Sequence, residues 1–91
     1  MSHFRILADS LPWKCTFVVG DTSGTCSSGY FCGELEVAEA ETEQKCAENV
    51  KKEKPNARGA TWEPSSKQCW AEYGKNVDFS SIDHRTCLFR G

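Results

Sequence analysis

Long hydrophobic runs are missing from this sequence. The longest purely apolar run is Phe17-Val18-Val19, whereas a membrane-spanning helix needs about 20 apolar residues. The first nine residues also lack the apolar stretch of a signal peptide. An excess of positive charge is missing too, because the formal net charge is −2. The sequence therefore predicts no membrane insertion and no nucleic-acid partner.

Paired metal-binding motifs are also absent. The cysteines form no CxxC pair, and the two histidines, His3 and His84, stand far apart in the sequence. Zinc sites usually gather paired ligands a few residues apart. We therefore expect neither a metal nor any other cofactor.

The sequence also lacks a recognisable set of catalytic residues. His84 is flanked by Asp83 and Arg85 in a polar segment, which is typical of an exposed loop histidine. A hydrolase would need a nucleophile and an orienting group beside it. The run Asp21-Thr22-Ser23-Gly24 differs in spacing from the Asp-Thr-Gly turn of aspartic proteases. We predict that the chain is not an enzyme.

What the sequence does contain is cysteine. The chain of 91 residues carries six, an even number that is typical of a disulfide framework. A domain this small has a small core and benefits from such bracing. Because the cytosol keeps thiols reduced, we expect a secreted or extracellular protein whose signal peptide lies outside this sequence. Six cysteines admit many pairings, so the sequence leaves open the three bridges of first interest: Cys15–Cys87, Cys26–Cys32 and Cys46–Cys69.

The order of elements predicts one α+β domain over residues 15–91, with a single helix packed on a small antiparallel sheet. Residues 1–14 are interpreted as an N-terminal arm or a leader. The helix candidate is Glu34–Lys54, beginning near residues 38–42, because it is rich in helix formers and ends before Pro55. Its glutamates are expected on a solvated helix face. Strands are predicted over 15–20, 60–62, 68–73 and 86–89, a turn over 63–67, and loops over 21–29 and 74–83.

The segment from Cys46 to Glu72 places a cysteine on the helix, followed by Gly-Ala-Thr-Trp, a Pro-Ser-Ser-Lys turn and Gln-Cys-Trp-Ala-Glu. In these motifs it resembles the PAN/apple family, and Thr-Cys-Leu-Phe at 86–89 resembles the closing strand of that family. The resemblance implies a PAN/apple-like fold in which the helix Cys46 is bonded to the hairpin Cys69. Val50 stands where apple domains often have a second helix cysteine, so the simpler PAN pattern fits better. Residues 1–40 match loosely or not at all.

The resemblance also implies a function. Members of this family are non-catalytic extracellular modules that bind proteins or carbohydrates, so we expect a recognition or adhesion module within a larger secreted or surface protein. The family has no portable binding motif, and no binding residue transfers from it. The alternative is a free-standing secreted effector such as a protease inhibitor, a toxin or an antimicrobial protein. The negative net charge disfavours the antimicrobial version.

Basic residues at the end of the helix form the first candidate binding site. Their charge suits a sulfated sugar such as heparin, which some PAN-like domains bind, although cations at a helix C-terminus are also favourable without a ligand. Two nearby acids, Glu48 and Glu53, reduce the positive charge. The candidate residues are Lys51, Lys52, Lys54 and Arg58.

An aromatic residue on the second hairpin strand is the other candidate. Alternation along a strand places Trp70 and Glu72 on the sheet face opposite Cys69. If Cys69 faces the helix, Trp70 is either exposed or covered by the N-terminal arm. We therefore predict that Trp70, with Glu72 beside it, contacts the ligand.

Overall fold

The computed structural model describes residues 11–23, 33–74, 76–78 and 82–91. The elements along the chain are β1 (Lys14–Cys15), β2 (Val18–Val19), β3 (Asp21–Ser23), β4 (Glu34–Val37), α1 (Glu43–Glu53), β5 (Gly59–Trp62), β6 (Cys69–Glu72), β7 (Asn76–Asp78) and β8 (Arg85–Arg90). The predicted α+β class is confirmed, with one helix against an antiparallel sheet. This helix is 11 residues long, and no helix among the described residues is long and apolar enough to cross a membrane.

The main sheet has the strand order β1-β8-β5-β6-β4, and β2 also pairs with β8. The strand predicted over 15–20 is divided, because β1 and β2 pair with different parts of β8 in one common register, Cys15 opposite Phe89 and Val18 opposite Thr86. The chain then leaves the strand at Gly20, whose φ of 141° favours glycine. A second, two-stranded sheet joins β3 to β7.

Three sequence predictions of the elements are wrong. Glu34–Val37, included in the helix candidate, forms the edge strand β4 and pairs with β6. Its glutamates therefore lie on a sheet, not on a helix face. Asp21–Ser23 and Asn76–Asp78, both predicted as loop, pair with each other as β3 and β7. In each case pairing with a distant strand decided the conformation, and local composition cannot show such pairing.

The helix begins where the sequence places its start. Thr42 is the N-cap, and its hydroxyl accepts a hydrogen bond from the Lys45 backbone N–H at 3.1 Å. The helix ends at Glu53, two residues before Pro55. Its buried stripe is Cys46, Ala47 and Val50, so one narrow face packs on the sheet and the remainder contacts solvent.

The core between the helix and the sheet consists mainly of small side chains. Its largest member is Trp62, whose indole N–H donates a hydrogen bond to the Ala40 carbonyl at 2.8 Å. The other members are Val37, Ala40, Cys46, Ala47, Val50, Ala57, Ala60, Cys69, Ala71 and Cys87. Because alanine and cysteine bury little apolar area, such a core gains much from covalent bracing.

Two disulfides supply that bracing, and both match predicted pairs. Cys46–Cys69 joins the helix to β6 with Cα atoms 5.5 Å apart, and Cys15–Cys87 joins β1 to β8 with Cα atoms 5.0 Å apart. The predicted pair Cys26–Cys32 lies outside the described residues. The helix is thus bonded to the middle of the sheet, and the first strand is bonded to the last.

Candidate functional site

The sheet separates the predicted contact residues onto two faces. Cys69 points to the helix, because it is bonded to Cys46, so Trp70 and Glu72 lie on the opposite face. The lysines of the helix lie on the helix side. The two groups of candidates therefore belong to different surfaces, and they cannot contact the same small ligand together.

Trp70 is half-buried on its face of the sheet. Its ring meets the His84 imidazole at 5.6 Å between centroids, with an interplanar angle of 63°. His84 also lies 3.7 Å from a Glu63 carboxylate oxygen, so the histidine expected to be exposed is partly buried between two side chains. The described part of the N-terminal segment does not cover Trp70, because Trp13 packs against Phe89 on the helix side.

Glu72 is buried and belongs to an acidic cluster. One carboxylate oxygen each from Asp21, Glu34 and Glu72 lie within 4.8 Å of one another. The cluster arises because Glu34 and Glu72 are directly opposite in the β4–β6 pair, while Asp21 reaches the same face and contacts the Thr61 hydroxyl at 3.4 Å. Because the three carboxylates come from three separate strands, their spacing in the sequence could not predict this cluster. The carboxylates alone do not define a cation site, and we assign the cluster no ligand.

The end of the sheet where β8 finishes carries a surface that we call the basic groove, formed by Trp13, Lys51, Arg58, Phe89 and Arg90. It consists of two adjoining depressions of about 400 Å³ and about 370 Å³, and Phe89 and Arg90 line both. Lys51 contributes to the first depression and Arg58 to the second. Three cations therefore line the groove, and one of them, Lys51, lies over its aromatic rings.

Aromatic packing fixes the floor of this groove. Trp13 meets Phe89 edge to face, with centroids 5.3 Å apart and planes at 83°. The Lys51 Nζ lies 4.5 Å from the Phe89 ring centroid and 5.7 Å from that of Trp13. A cation over an aromatic face is attracted by the ring quadrupole, so Lys51 is held at the groove.

Backbone pairing places the two arginines. The Phe89 N–H donates to the Arg58 carbonyl at 2.7 Å, so Arg58 lies next to Phe89 at the start of β5. Arg90 follows Phe89 on β8 and is directly opposite Lys14 of β1. Both arginine side chains are exposed. Their guanidinium groups are therefore accessible to a ligand from solvent.

The cations of the groove have no acidic partner among the described residues. The ion pairs in that part of the chain are His84–Glu63 and Arg85–Glu43, both at the other end of β8. The two acids expected to weaken the cluster are engaged elsewhere, because Glu53 accepts a hydrogen bond from the Ala38 N–H at 3.3 Å and Glu48 accepts one from the Gln44 amide at 3.1 Å. The groove cations therefore make no direct ion pair with these two acids.

Two of the four predicted basic residues line the groove, and two do not. Lys51 and Arg58 line it. Lys54 caps the helix, its backbone N–H donating to the Val50 carbonyl, and Lys52 is exposed beside it. Both add charge near the groove without forming its wall.

Trp13, Phe89 and Arg90 were not among the predicted site residues. Trp13 belongs to the segment interpreted as an N-terminal arm or a leader, and it packs on the last strand. A signal for Phe89 was present, because alternation from Cys87 along β8 places Phe89 on the face that carries the disulfide to β1. Applying that alternation to the last strand, as it was applied to Trp70, would have identified an aromatic residue beside the helix lysines.

Comparison of the chain with protein-family models, with curated proteins and with solved structures gives no match. The PAN/apple resemblance therefore stays a prediction from the sequence.

Proposed function

We propose that this protein is a non-catalytic extracellular recognition module that binds an anionic protein or carbohydrate ligand at the basic groove. The observation that carries the proposal is that Lys51, Arg58 and Arg90 line the groove beside the Trp13–Phe89 pair and make no ion pair among the described residues. Unpaired cations attract sulfate and carboxylate groups, and aromatic rings offer apolar contact to sugars or side chains.

The covalent structure supports an extracellular location. The four cysteines of the described residues form two disulfides, and disulfides persist in oxidising compartments. The helix-to-hairpin bridge Cys46–Cys69 agrees with the bridge that the PAN/apple resemblance implies. On that resemblance we propose that the module is one part of a larger secreted or surface protein, where it serves adhesion or recognition.

A charge-reversal experiment tests this proposal. The purified chain is titrated with a fluorescent heparin-derived oligosaccharide and, separately, with a poly-glutamate peptide, and binding is followed by fluorescence anisotropy. For Arg58→Glu/Arg90→Glu we expect affinity for the bound probe to fall by a factor of about 30 or more, because charge-assisted contacts contribute about 1.5–3 kcal/mol each.

The matched control is Lys45→Glu/Lys67→Glu, which changes the net charge equally but away from the groove. It should retain affinity within about threefold, since surface charges beyond a Debye length are screened. Equal losses in both double variants would show binding by net charge alone and would contradict a site at the groove. Absence of binding to both probes would contradict an anionic ligand.

A further inference from the structure

Strand β4 forms one edge of the main sheet, and no strand of the described residues lies on its outer side. Its inner side pairs with β6. An edge strand turns every second residue's backbone N–H and C=O away from its neighbour, where another strand can bind them. Which residues of β4 do so decides what this edge can recognise.

A backbone hydrogen bond beside β4 identifies those residues. The Tyr73 N–H donates to the Gly33 carbonyl at 3.2 Å, and these two residues are directly opposite in the register of the β4–β6 pair. In an antiparallel ladder, hydrogen-bonded pairs alternate with non-bonded pairs. Leu35 therefore points its backbone groups to β6, whereas Glu34 and Glu36 point theirs outward.

The β5–β6 pair gives the same assignment independently. The Glu63 N–H donates to the Gln68 carbonyl at 3.0 Å. Two residues further along this ladder, Trp70 and Thr61 form the next hydrogen-bonded pair. Trp70 thus points its backbone groups to β5 and away from β4, so Glu36, which is directly opposite Trp70, keeps its own groups on the outer side.

The helix closes the next outward position of this edge. The Ala38 N–H donates to a Glu53 carboxylate oxygen at 3.3 Å, and the Ala38 carbonyl accepts from the Asn49 side-chain amide at 3.1 Å. Within the described ranges, the outward backbone groups of Glu34 and Glu36 have no such partner. Both residues are exposed. The fold therefore satisfies one outward position and leaves two accessible to another chain.

The two faces of the sheet differ in chemistry at this edge. Glu34 and Glu36 project from the face opposite the helix. There Glu34 joins the acidic cluster with Asp21 and Glu72. Leu35 projects on the helix side and is 40% exposed. Because an added strand presents alternate side chains to the two faces, it can meet the acids on one face and the leucine on the other.

Two lysines near this edge lie on its helix side. The Lys67 Nζ is 5.2 Å from the centroid of the Trp62 ring, and Trp62 belongs to the core between helix and sheet. Lys52 belongs to the helix itself. Neither lysine makes an ion pair with Glu34 or Glu36. On the face of these glutamates, a basic side chain of a partner therefore meets complementary charge.

We propose that β4 binds an extended basic segment of a partner protein as an added antiparallel strand. Backbone hydrogen bonds at Glu34 and Glu36 fix the register of that segment. Its residues opposite these glutamates are lysine or arginine, and the residue between them, opposite Leu35, is apolar. The recognised pattern is thus basic, apolar, basic. The inference concerns a second surface and does not rest on a ligand at the basic groove.

The charges of β4 also select against other strands. Charged side chains on an edge strand commonly prevent unwanted pairing. Two copies of β4 paired antiparallel would place glutamate opposite glutamate, and like charges in that position are destabilising. The same acids that exclude a second copy of this strand favour a basic segment, which is how one set of charges gives specificity.

NMR spectroscopy of the backbone amides tests the added strand residue by residue. The ¹⁵N-labelled chain is titrated with the capped peptide Ser-Thr-Lys-Val-Lys-Thr-Ser up to about 5 mM, for an expected dissociation constant on the order of 1 mM. Exchange of the Glu34 and Glu36 amide hydrogens with solvent should slow by a factor of about 5, since the bound fraction is protected. The Leu35 amide, already bonded to β6, should change little. Unchanged exchange at both glutamates overturns the proposal.

Two N-methylated peptides separate backbone pairing from attraction between charges. Methylation of both lysine nitrogens removes the N–H groups that bond to β4, whereas methylation of the valine nitrogen removes one that points away from it. We expect the first peptide to lose affinity by about tenfold or more and the second to remain within about threefold of the unmodified peptide. Undiminished affinity of the first peptide shows contact without strand pairing and overturns the proposal.

Charge reversal at the edge tests the selectivity. For Glu34→Lys/Glu36→Lys we expect a preference of about tenfold for Ser-Thr-Glu-Val-Glu-Thr-Ser over the lysine peptide, the reverse of the order in the unaltered chain. The matched control Glu41→Lys/Glu48→Lys carries the same change in charge outside β4 and should bind the lysine peptide within about threefold. Equal losses in both variants, with circular dichroism showing them folded, contradict a site at β4.

Different ligands distinguish this inference from the ligand of the basic groove. Arg58→Glu/Arg90→Glu, which alters the groove, should bind the lysine peptide within about threefold of the unaltered chain. A chain that binds the heparin or poly-glutamate probe but not the lysine peptide overturns only the added strand. A chain that binds the lysine peptide but neither anionic probe overturns only the proposed groove ligand.

Discussion

Gly59 shows how one residue positions the centre of the sheet. It lies at the start of β5, where β8 pairs on one side and β6 on the other, opposite Leu88 and Glu72. A Cβ added here would collide with the Cys87 carbonyl oxygen and come within 3.1 Å of the Leu88 Cα. The neighbours are backbone atoms of a strand held by a disulfide, so they cannot move aside easily. Only glycine fits.

Gly59→Ala should therefore destabilise the fold. We expect a loss of about 3 kcal/mol in the free energy of unfolding, at the upper end of the usual effect of overpacking. Urea denaturation followed by tryptophan fluorescence measures it. A variant as stable as the unaltered chain would mean that β5 and β8 do not approach this closely.

The acidic cluster predicts a second residue-scale effect, of opposite sign. Glu34 and Glu72 are directly opposite in the β4–β6 pair, and like charges in that position are destabilising. We expect Glu34→Gln to raise the free energy of unfolding by about 0.5 kcal/mol, measured by the same urea titration.

The matched control for this change is Glu36→Gln on the same strand and face. Its opposite residue is Trp70, and its carboxylate accepts a hydrogen bond from Gln68 at 3.1 Å. Neutralising Glu36 should therefore give no gain. Equal stabilisation in the two variants would point to net charge, not to the Glu34–Glu72 pair.

At the scale of elements, the bridge between helix and sheet is the main device of the fold. Cys46 and Cys69 are fully buried and their bond closes a loop with a sequence separation of 23. In the chain-entropy model such a loop contributes about 3.5 kcal/mol, and the longer Cys15–Cys87 loop about 4.4 kcal/mol.

Removing either bridge should lower the melting temperature under oxidising conditions. We expect Cys46→Ala/Cys69→Ala to lose about 3.5 kcal/mol and Cys15→Ala/Cys87→Ala somewhat more. Differential scanning calorimetry of both variants tests the order. Retention of the full melting temperature without the Cys46–Cys69 bridge would contradict its role in holding the helix on the sheet.

The elements also show what sequence can and cannot predict. The helix was predictable because its start, its polarity and its stop are local: Thr42 caps it and Pro55 follows it. Strand β4 was not, because Glu-Leu-Glu-Val has no strong strand preference and becomes a strand only by pairing with β6. The basic groove was only partly predictable, because pairing between distant strands forms part of it. Its helix residue, Lys51, was visible in the sequence, while Trp13 and Phe89 meet it only through the β1–β8 pair.

At the scale of the whole molecule, the distribution of charge matters more than its sum. A chain with net charge −2 still has Lys51, Arg58 and Arg90 along one groove, and none of them makes an ion pair with a described acid. Net charge alone would argue against an anionic ligand. The folded distribution of charge favours one, and the site that we propose lies at the end of the sheet where β8 finishes.

Binding should consequently depend on salt. For a heparin-derived probe we expect affinity to fall by roughly tenfold or more between about 50 and 200 mM salt, because the protein cations that contact the polyanion release counterions condensed on it. Titrations at four salt concentrations measure the slope. An affinity independent of salt would contradict an electrostatic site.

The most direct test of the central claim is a two-dimensional ¹H–¹⁵N NMR titration that follows the three tryptophan indole signals. Trp13 lies in the basic groove, Trp70 lies on the opposite face beside His84, and Trp62 is a buried reference whose indole is bonded to Ala40. On addition of a heparin-derived oligosaccharide we predict a shift of the Trp13 indole signal, with the Trp62 and Trp70 signals unmoved. A shift of Trp70 without Trp13 would place the ligand on the other face and contradict the basic groove as the binding site.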